Sequence, residues 1–245
     1  MIPLRDRNPT VDPPVVTWTL IALNGVVFLF QLLIGPAADQ ELVMQFGVIP
    51  KVLASGSVFV PAESHGTLEV LLTPFTSMFL HGGFAHVVGN MWFLYVFGDN
   101  VEDALGKLRY VVFYVASGLV AVLVQVLADP TSGLPMIGAS GAISGVLAGY
   151  VALYPSARVV TLLPIFVFIQ LIEVPAYLFI VVWFAMQLLS GLGSIGATTG
   201  GVAWWAHVGG FLAGLVLVRW LADPKRYADR VKARMPRYRE FHDYD

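Results

Sequence analysis

The chain has 245 residues, of which 57% are hydrophobic and only 12% are charged, and its mean hydropathy is +0.76. Soluble domains carry about 25% charged residues, so this composition excludes a soluble globular protein and indicates an integral membrane protein. The net charge of −2 provides no basic surface for nucleic acid, and the lack of cysteine excludes disulfides, thiolate nucleophiles and cysteine metal sites.

The first 14 residues, MIPLRDRNPTVDPP, are polar and rich in proline. No apolar run directly follows a basic start, so we expect a cytoplasmic segment rather than a cleaved signal peptide. A helix needs about 20 mainly apolar residues to cross a bilayer, and six later segments approach that length. These segments are residues 15–35, 83–98, 108–128, 139–155, 175–193 and 202–222. They predict an all-α polytopic membrane protein, with a six-helix bundle that occupies residues 15–222.

Three other segments connect or follow the predicted spans. Residues 36–82 are expected to be partly helical and interfacial, because long structureless loops are uncommon. Residues 159–172 are apolar, but Pro164 and Glu173 favour an interfacial connection over a seventh span. The tail, residues 223–245, alternates basic, acidic and aromatic residues, which predicts a short solvated helix against anionic headgroups.

Basic residues set the predicted orientation. If six spans leave both termini in the cytoplasm, every Lys and Arg except Lys51 lies on the cytoplasmic side, where such residues usually occur. Ser140, at the start of the fourth span, and His207, in the sixth, then share one depth near the outer surface. Since no transit peptide is evident, we expect the plasma membrane of a prokaryote.

Small residues recur every four positions in two of the predicted spans. They are Gly141, Gly145 and Gly149 in GASGAISGVLAG, and Ala206, Gly210 and Gly214 in AHVGGFLAG. This spacing lets membrane helices approach closely, so packing is the simplest interpretation of Ser140 as well. His207 lies on the same small-residue face, however, and ionisable groups within spans usually have a function. If the two faces pack, His207 can act as the general base that a serine nucleophile needs.

His86 and Asn90 are four residues apart in the second span, so they share one helix face. Both side chains can donate hydrogen bonds to a developing oxyanion in a water-poor site. The first backbone N–H groups of the fourth span, around Ser140, lack helical partners and can add to these donors. His81 faces elsewhere, and we expect it to stabilise a turn.

We expect neither a metal nor any other cofactor. No Asp or Glu lies near His86 or His207, no HExxH motif occurs, and His81 does not share a helix face with His86. Asn24 and Gln187 are single amides within spans, which predicts hydrogen bonds between helices.

The fourth span also has an unusual length. It ends near Pro155 and is therefore shorter than the ~20 residues of a full crossing. This shortness predicts that Ser140 lies below the membrane surface, in a polar cavity that opens outward and admits water.

Taken together, these motifs resemble those of the rhomboid intramembrane serine proteases, on the spans where that family carries them. The matching residues are Gly138-Ala139-Ser140-Gly141, His86-x-x-x-Asn90, and Ala206-His207 with Gly210 and Gly214. The resemblance implies a dyad of nucleophilic Ser140 and basic His207. It also implies an oxyanion hole of Asn90, His86 and the Ser140 backbone N–H.

The same resemblance implies the substrates and how they enter the site. The fifth span and the loop SGLGSIGATTGG would form a gate and a lid. Substrates would be single-span membrane proteins that are cut near the outer membrane surface. The partners are then these transmembrane proteins and the lipid bilayer, with no nucleic acid.

The chain departs from the family pattern at two places. Many members carry Trp-Arg in the first outer loop, where this chain has Leu72-Thr73, so the bonding within that loop must differ. Many bacterial members carry a Tyr four residues after the nucleophile, stacked on the catalytic His, where this chain has Ser144. We therefore expect Trp204, Trp205 or a hydroxyl to orient His207.

Three other functions stay open at this point. A rhomboid-like adaptor without protease activity would be expected to lack Ser140 or His207, and both are present. A small transporter would be expected to show related halves or charges at mid-membrane. A purely structural bundle explains the glycines but not the polar residues at one depth.

Overall fold

The computed structural model of the chain describes residues 1–55, 67–165, 168–194 and 202–242. Helices make up most of it. In chain order they are α1 (Val15–Ile34), α2 (Pro36–Phe46), α3 (Pro50–Ser55), α4 (Thr67–Thr76), α5 (Phe84–Leu105), α6 (Lys107–Ala128), α7 (Ser140–Leu153), α8 (Ala176–Gly193), α9 (Trp204–Leu221) and α10 (Pro224–His242). A 3₁₀ turn covers Ser77–Phe79. The strands are β1 (Ile2–Asp6), β2 (Arg158–Ile165) and β3 (Phe168–Pro175).

Four of the described helices, α1, α6, α8 and α9, are long and apolar enough to cross a membrane. Large apolar side chains project outward from all four, among them Leu33, Leu127, Leu189 and Trp220. Such a surface suits lipid and not water. The fold is therefore a mostly helical membrane bundle. The other two predicted spans correspond to α5, which extends beyond the prediction to Leu105, and to α7, which is short as expected.

The centre of the bundle is α7, which is buried along most of its length between α6 and α9. Glycines make the contact with α9 possible. A Cβ on Gly210 would overlap the carbonyl oxygen of Gly141, and a Cβ on Gly214 would overlap that of Gly145. On its other side, α7 meets α6 equally closely, because a Cβ on Gly145 would overlap the Ser117 side chain. The backbones of α7 and α9 are therefore in direct contact, as the small-residue pattern predicts.

A buried carboxylate attaches α1 to α5. Glu102, near the end of α5, accepts hydrogen bonds from the backbone N–H groups of Val16 and Thr17 at 2.9 and 2.7 Å. The Thr17 hydroxyl donates a further bond to the same carboxylate. The first N–H groups of a helix have no partners within it, and they favour negative charge, so Glu102 satisfies the start of α1.

The prediction that the fold is all-α is wrong in one region. The segment 159–172, expected to be an interfacial connection, lies for the most part in the antiparallel strands β2 and β3. The N-terminal β1 adds to it as a third strand, with Ile2 opposite Leu162 and Asp6 opposite Val159. The run VVTLLPIFVFIQLI is rich in β-branched and aromatic residues, which favour strands, and its proline opposes a helix. An antiparallel ladder pairs backbone groups that a loop would leave without partners.

The N-terminal segment and α10 are in contact at the end of the bundle opposite Ser140. Arg226 and Arg230 of α10 contact the Asp12 carboxylate, and the Tyr227 hydroxyl donates to the Leu153 carbonyl at 2.7 Å. The tail is helical as predicted, but it packs on the bundle instead of being simply solvated. In the long connection 36–82, the described part is largely helical, as expected, and residues 56–66 lie outside the described residues.

We predict that Gly210→Ala destabilises the fold, because the added methyl group meets a backbone carbonyl that has no room to move. Overpacking of this kind costs about 1–3 kcal/mol. The free energy of unfolding in mixed detergent micelles measures it. Gly25→Ala in α1 is the control, because a Cβ there meets nothing within 4 Å. Equal stability of the two variants would show that the α7–α9 contact is looser than described.

Candidate active site

Ser140 is the first residue of α7, and the loop before it is fixed at two points. Val48 and Met136 exchange two backbone hydrogen bonds, of 3.0 and 2.7 Å. The Gly138 N–H then donates to the Ser77 carbonyl at 2.8 Å. Ser140 is half-buried and lines a cavity of about 660 Å³. As the first residue of a helix, it also has a backbone N–H without a partner in that helix.

His207 lies in the first turn of α9, and its side chain is 8% exposed. The start of α9 is fixed by α6, because the Gln125 side-chain oxygen accepts from the Ala206 N–H at 3.2 Å. The direct contact of α9 with α7 then brings the two predicted residues together. The Nε2 atom of His207 is 2.8 Å from the Ser140 hydroxyl oxygen. This is a hydrogen-bonding distance between a potential nucleophile and a potential base.

His86 and Asn90 lie beside this pair on α5, and both line the cavity. The Gly82 N–H donates to His86 Nδ1 at 3.3 Å, so a neutral His86 carries its proton on Nε2. Asn90 is 8% exposed, and its side-chain nitrogen has no hydrogen-bond partner within the described part of the chain. The structure therefore places two N–H donors at one wall of the cavity.

Gly138 allows the loop before Ser140 to pass close to these two donors. Its φ is +117°, a conformation that side chains disfavour. A Cβ here would lie 2.7 Å from His86 Nε2 and 3.5 Å from Asn90 Nδ2. A side chain at this position would therefore overlap His86. Because Gly138 has none, both donors can lie close to the loop that leads into Ser140, and all four residues line the same cavity.

The polar group that orients His207 is not one that the sequence predicted. Trp204 does pack edge-on against the imidazole, with ring centroids 6.0 Å apart, but Trp205 lies against Gly191 of α8. The polar partner is Gln187 of α8, whose side-chain oxygen is 2.7 Å from His207 Nδ1. The interhelical hydrogen bond predicted for Gln187 is present, but nothing in the sequence indicates that its partner is His207.

His81 and Ser144 lie near the site, but neither lines the cavity. His81 Nδ1 is 3.3 Å from the Phe79 carbonyl, which is the turn interaction expected from the sequence, and its ring packs edge-on against His86. The Ser144 hydroxyl donates to the Ser140 carbonyl at 2.7 Å, one helical turn back, and is fully buried. Thr73 lies in α4, where its hydroxyl donates to the Val70 carbonyl at 2.8 Å.

Aromatic side chains close one side of the cavity between α5 and α8. Phe93 packs against Trp183 and Phe179 with ring centroids 6.4 and 6.3 Å apart, and Trp183 also lies 6.1 Å from the His207 ring. The sequence reasoning did not single out these three rings. The predicted lid, residues 190–201, falls partly outside the described residues, which resume at Val202. Among the described residues, no three His, Asp or Glu side chains are grouped as metal ligands.

Comparison with known proteins shows the family to which the chain belongs. The sequence profile of the Rhomboid domain matches residues 69–223, more than half of the chain. The chain therefore belongs to the rhomboid family. The match begins within α4 and extends past the end of α9. It therefore includes all the residues described above as lining the cavity.

Curated relatives match over part of their length. RHOMBOID-like protein 5 of Arabidopsis thaliana is 30% identical over 57% of this chain and 52% of its own length. Rhomboid protease GluP of Bacillus subtilis is 32% identical over 57% of this chain and 25% of its own. The mitochondrial presenilin-associated rhomboid-like protein of Mus musculus is 32% identical over 43% and 29%. The chain thus spans about half or less of these relatives, only one of which is named a protease.

The contact between Ser140 and His207 predicts a reactive serine. A fluorophosphonate probe should label the purified protein at Ser140, and His207→Ala should slow labelling by about 10²- to 10⁴-fold through loss of the base. Ser144→Ala is the matched control, since its hydroxyl bonds only to a helix carbonyl. Labelling that is unaffected by His207→Ala would contradict activation by the imidazole. Mass spectrometry of the labelled peptide measures both the rate and the position.

Proposed function

We propose that this chain is an intramembrane serine protease that cuts single-span membrane proteins near the outer membrane surface. One observation carries the proposal, which is the 2.8 Å contact between the Ser140 hydroxyl and His207 Nε2. Beside that contact, the N–H donors of His86 and Asn90 line the same cavity. Membership of a family with a named protease supports it.

In the first step, the Ser140 oxygen attacks the carbonyl carbon of the substrate, and its proton passes to His207 Nε2. The carbonyl π bond opens and leaves a negative charge on its oxygen. Asn90 Nδ2, His86 Nε2 and the Ser140 backbone N–H donate to this oxyanion. Donors that are fixed in advance stabilise such a charge strongly in a water-poor site.

The tetrahedral intermediate then collapses. The C–N bond breaks, the amine leaves with the proton held by His207, and an ester joins the substrate acyl group to Ser140. A water molecule then attacks the ester carbonyl carbon and gives a proton to His207. The bond to the Ser140 oxygen breaks, the acid product is released, and His207 returns the proton to Ser140. The 660 Å³ cavity provides room for that water beside the ester. The chemistry needs no metal or other cofactor.

The proposed arrangement in the membrane has six spans, α1 and α5 to α9. Residues 15–222 form this membrane domain, and residues 1–14 and 223–245 form cytoplasmic segments. Because α7 begins at Ser140 and ends near the contacts of α10, the site lies at the opposite end of the bundle from both termini. The distribution of Lys and Arg favours the outer surface of a prokaryotic plasma membrane for that end. Span α8 and the loop that follows it serve as gate and lid.

The proposal predicts that the purified protein cleaves a generic single-span reporter in liposomes. Ser140→Ala and His207→Ala should each lose several orders of magnitude in rate, because either loss disables the unit. Product mass spectrometry locates the cut. Cleavage by all three proteins would contradict the mechanism. If the folded wild-type protein cleaves none of a set of reporters that differ in sequence, a rhomboid-like adaptor is favoured. If that protein instead moves solutes across the liposome membrane, a transporter is favoured.

The proposed oxyanion hole can be tested without removing either donor. Gly138→Ala puts a methyl group between His86 and Asn90, so we expect kcat to fall about 10²- to 10³-fold, as when one such donor is lost. Gly133→Ala in the same loop is the control, because a Cβ there meets nothing within 4 Å. Reporter kinetics and the unfolding midpoint are measured together. Unchanged kcat in a folded Gly138→Ala protein would place the oxyanion elsewhere.

A further inference from the structure

We infer that Gln187 is a positioning residue that sets the tautomer and orientation of His207, so that the dyad works as a Ser140–His207–Gln187 triad. This inference rests on the proposed function. It concerns a single amide on α8, 20 residues before the histidine in the chain. Gln187 also lines the cavity, at the side closed by Trp183.

The orientation of the Gln187 amide follows from its second hydrogen bond. Its side-chain nitrogen lies 3.3 Å from the Trp183 carbonyl oxygen, which can only accept, so that atom must be the NH₂ donor. The amide oxygen then faces His207 Nδ1 at 2.7 Å. The reversed amide would place its oxygen against the Trp183 carbonyl oxygen. Both atoms are acceptors, so the contact excludes that orientation.

The amide oxygen in turn determines where the imidazole proton lies. An amide oxygen accepts but cannot donate, so Nδ1 of His207 must carry a hydrogen. In the neutral imidazole, Nε2 then has a free lone pair, which points to the Ser140 hydroxyl at 2.8 Å. Without Gln187, the proton can move to Nε2, and the ring then presents a donor to Ser140 and cannot take its proton.

Burial makes the contact with Gln187 effective. Gln187 and His207 are each 8% exposed, so little water competes for Nδ1. A carboxylate would hold the tautomer too, as in serine proteases with an aspartate, but an ionised group within a membrane span is costly. A neutral amide orients the ring without a buried charge. Leaving Nδ1 unpaired would itself be unfavourable in this environment.

The two aromatic neighbours restrict the ring but do not set its proton. Trp183 and Trp204 lie 6.1 and 6.0 Å from the imidazole centroid, on two different helices. These ring contacts limit the plane of the imidazole, and they do not depend on which nitrogen is protonated. Ser144, which stands where many bacterial relatives carry a stacking Tyr, bonds to Ser140 and leaves this task to other groups.

The test compares Gln187→Leu with Gln187→Glu. Leucine fills similar space but accepts no hydrogen bond, so we expect kcat to fall about 10- to 100-fold with little change in KM. Glutamate keeps an oxygen for Nδ1 and should recover most of the lost kcat. Asn24→Leu is the matched control, because this buried amide bonds to the Leu20 carbonyl of its own helix and lies outside the cavity.

A second readout follows the tautomer directly. The ¹⁵N chemical shifts of His207 distinguish a protonated Nδ1 from a protonated Nε2, and Gln187→Leu should shift the population towards Nε2–H. Wild-type kcat in Gln187→Leu, or an unchanged tautomer, would overturn the inference while leaving the dyad intact. A folded wild-type protein without proteolytic activity would instead contradict the proposed function, and the ¹⁵N measurement would still decide whether Gln187 sets the tautomer.

Discussion

The direct contact between the glycine backbones of α7 and α9 is the constraint on which the site depends. Gly210 fits only because its hydrogen atom meets the Gly141 carbonyl, where a methyl group would overlap it. Ser140 and His207 lie at the ends of the two helices that this contact joins. A displacement of about 1 Å from productive geometry can cost about 10²-fold in rate. Helix packing and chemistry are thus set by the same small residues.

The polar groups that line the cavity differ in charge from those that join α1, α5 and α10. At the Ser140 end, the described polar groups around the cavity are imidazoles, amides and hydroxyls, which need no counter-ion in a membrane. At the other end, Glu102 caps α1, and Asp12 contacts the two arginines of α10. Charged groups therefore join α1 to α5 and α10 to the N-terminal segment, and uncharged groups line the cavity beside the start of α7.

The sequence predicted that Ser140 and His207 meet, because small residues at every fourth position mark the helix faces that can pack closely. His207 lies on such a face, so it is directed towards the neighbouring helix. The sequence did not predict the role of Gln187, since a lone amide in an apolar span gives no indication of its partner. The sheet was also missed. The pairing of β1 with β2 joins Ile2 to Leu162, a separation that no local pattern encodes, and the apolar run of β2 and β3 lacks clear alternation.

The most direct test of a catalytic Ser140 within the membrane is to trap its covalent adduct. A transmembrane peptide that ends in a phosphonate ester can be incubated with the protein in liposomes, and the adduct can then be located by peptide mass spectrometry. Catalysis by Ser140 and His207 predicts one adduct, on Ser140, which disappears in His207→Ala. An adduct on another residue would contradict it. So would a folded protein that forms no adduct with this peptide and is also not labelled by the fluorophosphonate probe.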